Sequence, residues 1–230
     1  MNLAPDSLVL WQWGGFKVNL TLAMTWAVMA LLSVGAWLIT RRLGDGPQLS
    51  SWQNLLEVLV HGMGEQIREL SRHEPGPYLP FVGTLFIFVA SCSLLSVLPG
   101  FVPPTASLST ATALALCVFV AVPLFGIADQ GLGAYLRRYL RPNLFMLPFN
   151  IIGELSRTIS LAVRLYGNMM SGTVIVAILL GFMPFFVPVL MRLLGLLTGM
   201  IQAYIFAVLA MVYIASALSA HAPAPGRDSG

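Results

Sequence analysis

The sequence predicts an all-α polytopic membrane protein with about five membrane helices and one amphipathic surface helix. Of its 230 residues, 57% are hydrophobic and only 9% are charged, whereas soluble domains carry about 25% charged residues. The charges fall between long apolar runs, and a span needs about 20 apolar residues. We therefore expect residues 1–230 to form a single membrane domain. No cluster of Lys and Arg predicts nucleic-acid binding.

The first span is predicted at residues 18–40, which carry no charge. Arg41 and Arg42 follow directly. Inner loops of membrane proteins are enriched in Arg and Lys, so we expect an outer N-terminal segment at residues 1–17. That segment has no positively charged region before the apolar run, which argues against a cleaved signal peptide.

Residues 53–72 predict an amphipathic helix on the inner membrane surface. Apolar residues recur there at helical spacing, namely Leu56, Leu59, Val60, Met63, Ile67 and Leu70. The opposite face carries Glu57, His61, Glu65, Arg68, Glu69 and Arg72. A helix with this division of faces lies on a membrane and does not cross it.

Residues 79–127 predict two spans. The surrounding stretch has no charge and is broken by Pro99-Gly100 and Pro103-Pro104, so we expect spans at 79–98 and 107–127 joined by an outer turn. Three arginines mark the next loop as inner, namely Arg137, Arg138 and Arg141.

Residues 147–218 predict a long hairpin of two helices, about 147–181 and 189–218, with a turn at Pro184 and Pro188. The tail 222–230 is rich in Pro, Gly and Ser, and we expect it to be flexible. With five spans, the N-terminus lies outside and the C-terminus inside.

A polar stripe runs along the first helix of this hairpin. At 100° per residue, its members fall within an arc of about 120°; they are Glu154, Arg157, Ser160, Arg164, Asn168 and Ser171. Arg164 is the deepest, because no charge recurs before Arg192. A mid-membrane arginine costs about 2.5–3.5 kcal/mol on insertion scales and cannot deprotonate.

Arg164 therefore requires a partner, since intramembrane charges are otherwise too costly. The nearby acid, Glu154, is about 15 Å away along the helix. We infer that the partner comes from another subunit or from a water-filled cavity. An arginine that snorkels to the interface or binds carbonyl groups is the structural alternative.

The second helix of the hairpin has a weaker polar face, made of Gly195, Thr198, Gly199, Gln202, Tyr213 and Ser216. Gly195 and Gly199 permit close helix packing. Gln202 requires a hydrogen-bond partner in the membrane, and we expect it to bond across to the Arg164 helix.

Motifs of soluble enzymes are absent. His61 lacks the HExxH pattern, and no GxGxxG, P-loop or GxSxG motif occurs. We therefore expect no metal, no cofactor and no catalysis by this chain alone. Cys92 and Cys117 lie in apolar runs and read as packing residues.

The stretch Ser160-Leu-Ala-Val-Arg164-Leu-Tyr-Gly-Asn168 resembles the S-L-x-x-R-L-F-G-N signature of subunit a of the rotary F-type ATP synthase. Pro103-Pro-Thr-Ala-Ser-Leu-Ser-Thr110 is similar to the family's P-T-A-x-x-x-x-T segment, and Gln202-Ala-Tyr-Ile-Phe206 to its last-helix motif. The resemblance covers about residues 50–218.

The resemblance implies that the tilted hairpin faces a ring of c subunits, each with one essential carboxylate. Arg164 would meet these carboxylates in turn and separate two half-channels, so that ion flow drives ring rotation. Asn168 and Gln202 would flank the exchange zone, and Glu154 would line the inner route. Implied partners are the c ring, b-type peripheral stalk subunits and the catalytic head, in an energy-transducing membrane such as the bacterial plasma membrane.

The sequence departs from the family pattern where proton-coupled relatives usually carry a titratable pair. Thr173 and Gly195 occupy these positions, so water and hydroxyls such as Thr173, Thr198, Ser160 and Ser171 would serve the path. Some sodium-coupled relatives also lack the full pair, so H⁺ and Na⁺ both remain as coupling ions. A stand-alone channel with an arginine filter is the alternative function, and an intramembrane enzyme is disfavoured because no catalytic constellation appears.

Overall fold

A computed structural model describes residues 9–13, 16–41, 51–71, 76–98, 101–131, 133, 146–179, 181 and 186–218. Its helices are α1 (Leu20–Arg41), α2 (Ser51–Ser71), α3 (Leu79–Leu95), α4 (Leu108–Gln130), α5 (Met146–Leu179) and α6 (Phe186–Leu218), with a 3-10 turn at Pro104–Ala106. By length and composition, α1, α4, α5 and α6 each suffice to cross a membrane, and α3 is a shorter apolar helix. The predicted fold class, a polytopic helical membrane protein, is confirmed.

A β-hairpin precedes α1, where the sequence predicted only an N-terminal segment without secondary structure of its own. Strands β1 (Val9–Trp13) and β2 (Phe16–Asn19) pair antiparallel, with Trp13 opposite Phe16 and Val9 opposite Asn19. The first helix therefore begins at Leu20 and not at residue 18. Aromatic and β-branched residues favour strands, but a short strand that runs into an apolar helix shows no separate periodicity.

Helix α2 lies against α3 and α6 through its apolar face. Ile67 is buried and Met63 is half-buried beside the core. Val60 was expected on the same face but is exposed. His61 Nε2 lies 3.5 Å from Glu65 Oε1 with both side chains largely in solvent, and such an exposed contact stabilises little. Tyr204 Oη donates a hydrogen bond of 2.6 Å to Gln66 Oε1 and ties α2 to α6.

The core lies where α6 packs on α3 and α4, and where α4 packs on α5. Small residues on α6 and α4 are fully buried there, which lets the helix backbones approach closely; they include Ala203, Ala210, Ala111 and Ala115. Cys92 is buried, Cys117 is exposed, and both thiols are free.

Helices α5 and α6 have 34 and 33 residues. At 1.5 Å per residue each is about 50 Å long, whereas the hydrocarbon core of a bilayer is about 30 Å thick. Helices of this excess length tilt or extend beyond the bilayer. Much of their outward surface is apolar and exposed, including Ile159, Val163, Leu193, Leu197 and Ile201.

Candidate functional site

One hydrogen bond between α5 and α6 fixes the register of the hairpin. Asn168 Nδ2 donates to the carbonyl oxygen of Thr198 over 3.2 Å. In an antiparallel pair, a step forward on one helix matches a step back on the other. Arg164, one turn before Asn168, therefore lies at about the level of Gln202, one turn after Thr198.

Arg164 lies near the middle of α5 with its side chain exposed. Exposed apolar side chains flank it on the same helix, among them Val163 and Ile159. Within the described ranges, no hydrogen bond or ion pair involves the Arg164 guanidinium. The described chain therefore presents a cation without an ionic partner at mid-helix, on an exposed face bordered by apolar side chains.

Gln202 faces the other way. Its side chain is only 4% exposed, and its Nε2 has no partner among the described residues. The expected hydrogen bond from Gln202 to the Arg164 helix is thus not found in the described part of the chain. Asn168 makes the cross-helix bond instead, because a carbonyl on α6 lies within its range whereas Gln202 points into the core.

A cavity of about 260 Å³ lies between α3, α5, α6 and the segment before the 3-10 turn. Its lining includes Asn168, Thr173, Gly195 and Arg192, together with Ser96 and Phe101. Thr173 and Gly195 thus face one cavity, in agreement with the hairpin register. Thr173 Oγ1 donates to the Met170 carbonyl over 2.8 Å, which leaves its lone pairs free to accept or to coordinate a cation.

Other predicted hydroxyls bond within their own helices. Ser171 Oγ donates to the Asn168 carbonyl over 3.0 Å, and Thr198 Oγ1 donates to the Leu194 and Gly195 carbonyls over 3.1 Å. Ser160 is exposed on the outward side of α5, one turn before Arg164. Ser160 and Ser171 therefore lie on the exposed surface that carries Arg164.

A second, much smaller pocket of about 20 Å³ lies towards the other end of the hairpin, between α4, α5 and α6. Glu154, Arg157 and Ser216 line it. The Arg157 guanidinium carbon lies 5.6 Å from the centre of the Tyr213 ring, a cation–π contact. Glu154 is part-buried, and its carbonyl accepts a bond of 2.9 Å from Thr158 Oγ1.

The two glycines expected to pack the hairpin differ. A Cβ atom on Gly199 would lie 2.7 Å from Ser93 Oγ and 3.2 Å from Met169 Cε. A Cβ atom on Gly195 would meet no atom within 4 Å. Close packing is therefore found at Gly199, whereas Gly195 leaves space in the wall of the larger cavity.

Arg192 was not singled out as a site residue from sequence. Its Nη1 donates to the Val97 carbonyl over 3.1 Å and to the Ser96 carbonyl over 3.5 Å. The available signal was a lone charge near the start of an apolar helix. The contact itself required knowing that α6 packs on the end of α3.

Comparison with known proteins gives a consistent result. The chain matches the ATP synthase A chain family over residues 22–215. It is 61% identical over 217 residues to "ATP synthase subunit a 2" of Acaryochloris marina, covering 94% of this chain and 93% of the relative. It is 57% identical over 225 residues to "ATP synthase subunit a" of Albidiferax ferrireducens, covering 98% and 97%. It is 59% identical over 217 residues to "ATP synthase subunit a 1" of Chlorobaculum parvum, covering 94% and 96%.

Proposed function

This chain belongs to the ATP synthase A chain family, and we propose that it is the ion-translocating stator subunit of a rotary F-type ATP synthase, with Arg164 as its essential charge. The observation that carries the proposal is the position of Arg164. An exposed guanidinium at the middle of a long apolar helix has no partner within the described chain. A cation in that position is stable only beside an anion or water supplied from outside the chain.

The family resemblance supplies the anion, which is the carboxylate of each c subunit in the ring. A positive charge nearby favours the ionised carboxylate, so the bound ion leaves as each ring site arrives at Arg164. The arginine keeps its proton, and its charge stays fixed throughout. A fixed positive charge also opposes direct passage of a cation between the two sides, so that ions must travel on the ring.

The larger cavity serves as the outer half-channel. It opens beside Asn168 and holds Thr173, about 14 Å from Arg164 along the helix. Thr173 has only a hydroxyl group and Gly195 has no side chain, so neither residue can act as a side-chain acid or base. The cavity therefore carries ions through water and hydroxyl groups and not through a chain of acids and bases. The coupling ion, H⁺ or Na⁺, is then selected by the ring carboxylate site.

The inner half-channel begins at the opposite end of the hairpin. Glu154, Arg157 and Ser216 line the small pocket there. Glu154 lines the inner access route there, beside Arg157. Ser160 lies on the exposed side of α5 between this pocket and Arg164, along the route to the ring.

The remaining partners follow from membership of the complex. We place the c ring against the exposed surface of α5 and α6, and b-type peripheral stalk subunits and the catalytic head elsewhere on the assembly. The positive-inside distribution of arginines supports an outer N-terminus and an inner C-terminus in a bacterial plasma membrane.

The test is ATP-driven ion uptake by vesicles that contain the whole complex, comparing the wild type with Arg164→Ala after assembly is verified. We expect uptake to vanish in the assembled variant, and repeating the assay with and without Na⁺ identifies the ion. Uptake that persists would remove Arg164 from the mechanism. Ion conductance by the purified chain without a ring would instead support a stand-alone channel.

A further inference from the structure

Arg192 brings a fixed positive charge into the larger cavity. Of the described residues that line this cavity, Arg192 is the only charged one. Its guanidinium is half-buried and donates to the Ser96 and Val97 carbonyls at the end of α3. These carbonyls are dipoles at the negative end of a helix, so they hold the cation in position without cancelling its charge.

The charge cannot be removed by a change of pH, because a guanidinium keeps its proton in proteins. Within the described chain no carboxylate forms an ion pair with Arg192. Arg192 therefore raises the electrostatic potential of the cavity permanently. A positive potential disfavours a cation there, whether the ion is Na⁺ or hydronium.

Arg192 is also well separated from Arg164. It precedes Gln202, which is level with Arg164, by ten residues, or about 15 Å along α6. The two arginines are thus distinct charges, one beside the ring and one towards the outer end of the hairpin. Removing the outer charge leaves the inner one in place.

We propose that Arg192 lowers the affinity of the outer half-channel for the coupling cation. This inference rests on the proposed function, since it takes the cavity to be the outer ion path. The charge raises the outer ion concentration needed for half-maximal ATP synthesis and speeds release of the ion to the outer side during ATP-driven pumping. It does not change the overall equilibrium, because the free energy of transport depends on the ion concentrations and the potential on the two sides and not on the affinity of a site between them.

The experiment uses the whole complex in vesicles with the catalytic head on the external surface, so that the vesicle interior corresponds to the outer side. Ion-driven ATP synthesis is measured against graded internal Na⁺ at constant pH, and against graded internal pH without Na⁺. Arg192→Gln removes the charge and keeps a hydrogen-bond donor. Arg192→Lys keeps the charge.

We expect Arg192→Gln to lower the half-saturating ion concentration by about three- to tenfold at low ionic strength. The shift shrinks when choline chloride is added on the inside, because salt screens a charge exposed to water. Arg192→Lys stays near the wild-type value. An unshifted Arg192→Gln, a shift that is independent of salt, or an equal shift in Arg192→Lys overturns the proposal.

Arg192→Gln also alters the contact with α3 and can fail to assemble. If it does, Val176→Glu provides the same test. Val176 lines the same cavity at about the level of Arg192, and a glutamate there adds a negative charge that compensates the arginine. We expect Val176→Glu to lower the half-saturating ion concentration in the same way although Arg192 is intact. An assembled Val176→Glu complex with an unshifted half-saturating concentration overturns the proposal. Arg164→Ala, run in parallel, separates the two hypotheses. If it retains ATP synthesis the proposed function fails, whereas loss of synthesis with an unshifted Arg192→Gln refutes the role of Arg192 alone.

Discussion

Gly199 on α6 lies directly against Ser93 on α3. A Cβ atom built on Gly199 would lie 2.9 Å from Ser93 Cβ and 2.7 Å from its Oγ. Ser93 is fully buried and its hydroxyl bonds back to the Val89 carbonyl over 3.0 Å, so it has little freedom to move away. The two helices therefore pack backbone to side chain within one turn of Gln202.

Gly199→Ala is expected to destabilise the subunit because this contact leaves no room for a methyl group. Overpacking of a filled core costs about 1–3 kcal/mol. The effect is measured by heating the purified complex and recording the temperature at which this subunit dissociates from it. Ser93→Gly combined with Gly199→Ala removes the clashing side chain and should restore much of the loss.

Gly195→Ala is the matched control, because a Cβ atom at Gly195 meets nothing within 4 Å. We expect its thermal stability to equal that of the wild type. If the two alanine variants lose stability equally, the clash at Ser93 does not explain the requirement for glycine.

The cross-helix bond from Asn168 gives a second prediction. Asn168→Leu removes the donor to the Thr198 carbonyl, and such bonds within membranes contribute about 0.6 kcal/mol on average and about 1.7 at most. We expect a loss of stability of that order together with reduced ATP-driven uptake, because the bond sets the level of Arg164 against α6.

Thr198→Val serves as its control. The acceptor is a backbone carbonyl, and the Thr198 hydroxyl bonds only within its own helix in the described structure. Thr198→Val should therefore leave the thermal stability nearly unchanged. Equal losses in the two variants would argue that the hydroxyl, and not the Asn168 bond, matters at this level.

Arg164→Lys tests whether charge alone is sufficient beside the ring. Lysine retains a positive charge but lacks the planar guanidinium that pairs with a carboxylate through two bonds. We expect coupled uptake to fall by about tenfold or more, as when a charge-assisted hydrogen bond of about 1.5–3 kcal/mol is lost. Normal uptake in an assembled Arg164→Lys complex would contradict this role.

Gln202→Leu is expected to impair uptake less than Arg164→Ala. Gln202 is buried at the level of Arg164 and its amide nitrogen lacks a partner among the described residues, so leucine removes an unsatisfied group from the core. Both variants are compared in the same vesicle assay after assembly is verified. Equal or greater damage from Gln202→Leu would make α6, and not α5, the main carrier of the exchange site.

Most of the fold follows from the sequence because the bilayer restricts the choices. Uninterrupted apolar runs can only be spans, and the alternation of faces distinguishes α2 from them. The polar stripe also placed Arg164 on one side of α5, but it did not show whether that side faces the core or the outside. The answer depends on which residues of α5 are covered by α4 and α6, and this packing joins segments that are distant in the sequence.

The roles within the site were less accessible from sequence. Asn168 and Gln202 are both amides at helical spacing from Arg164, and nothing local indicates that one crosses to α6 while the other turns inward. Arg192 was visible as a charge, but its cavity forms only when α3, α5 and α6 meet. The β-hairpin before α1 was missed because its aromatic residues adjoin an apolar run.

The contact between Arg157 and Tyr213 gives the last prediction. The guanidinium lies over the ring at 5.6 Å, and Arg157 lines the small pocket together with Glu154. Tyr213→Phe keeps the ring and should keep ATP-driven uptake near the wild-type rate. Tyr213→Leu removes the cation–π contact, which contributes about 0.5–1 kcal/mol at exposed sites, and should lower uptake by about two- to fivefold. If Tyr213→Phe is as impaired as Tyr213→Leu, the hydroxyl of Tyr213 is the functional group, and the inner route depends on a hydrogen bond in place of a restrained arginine.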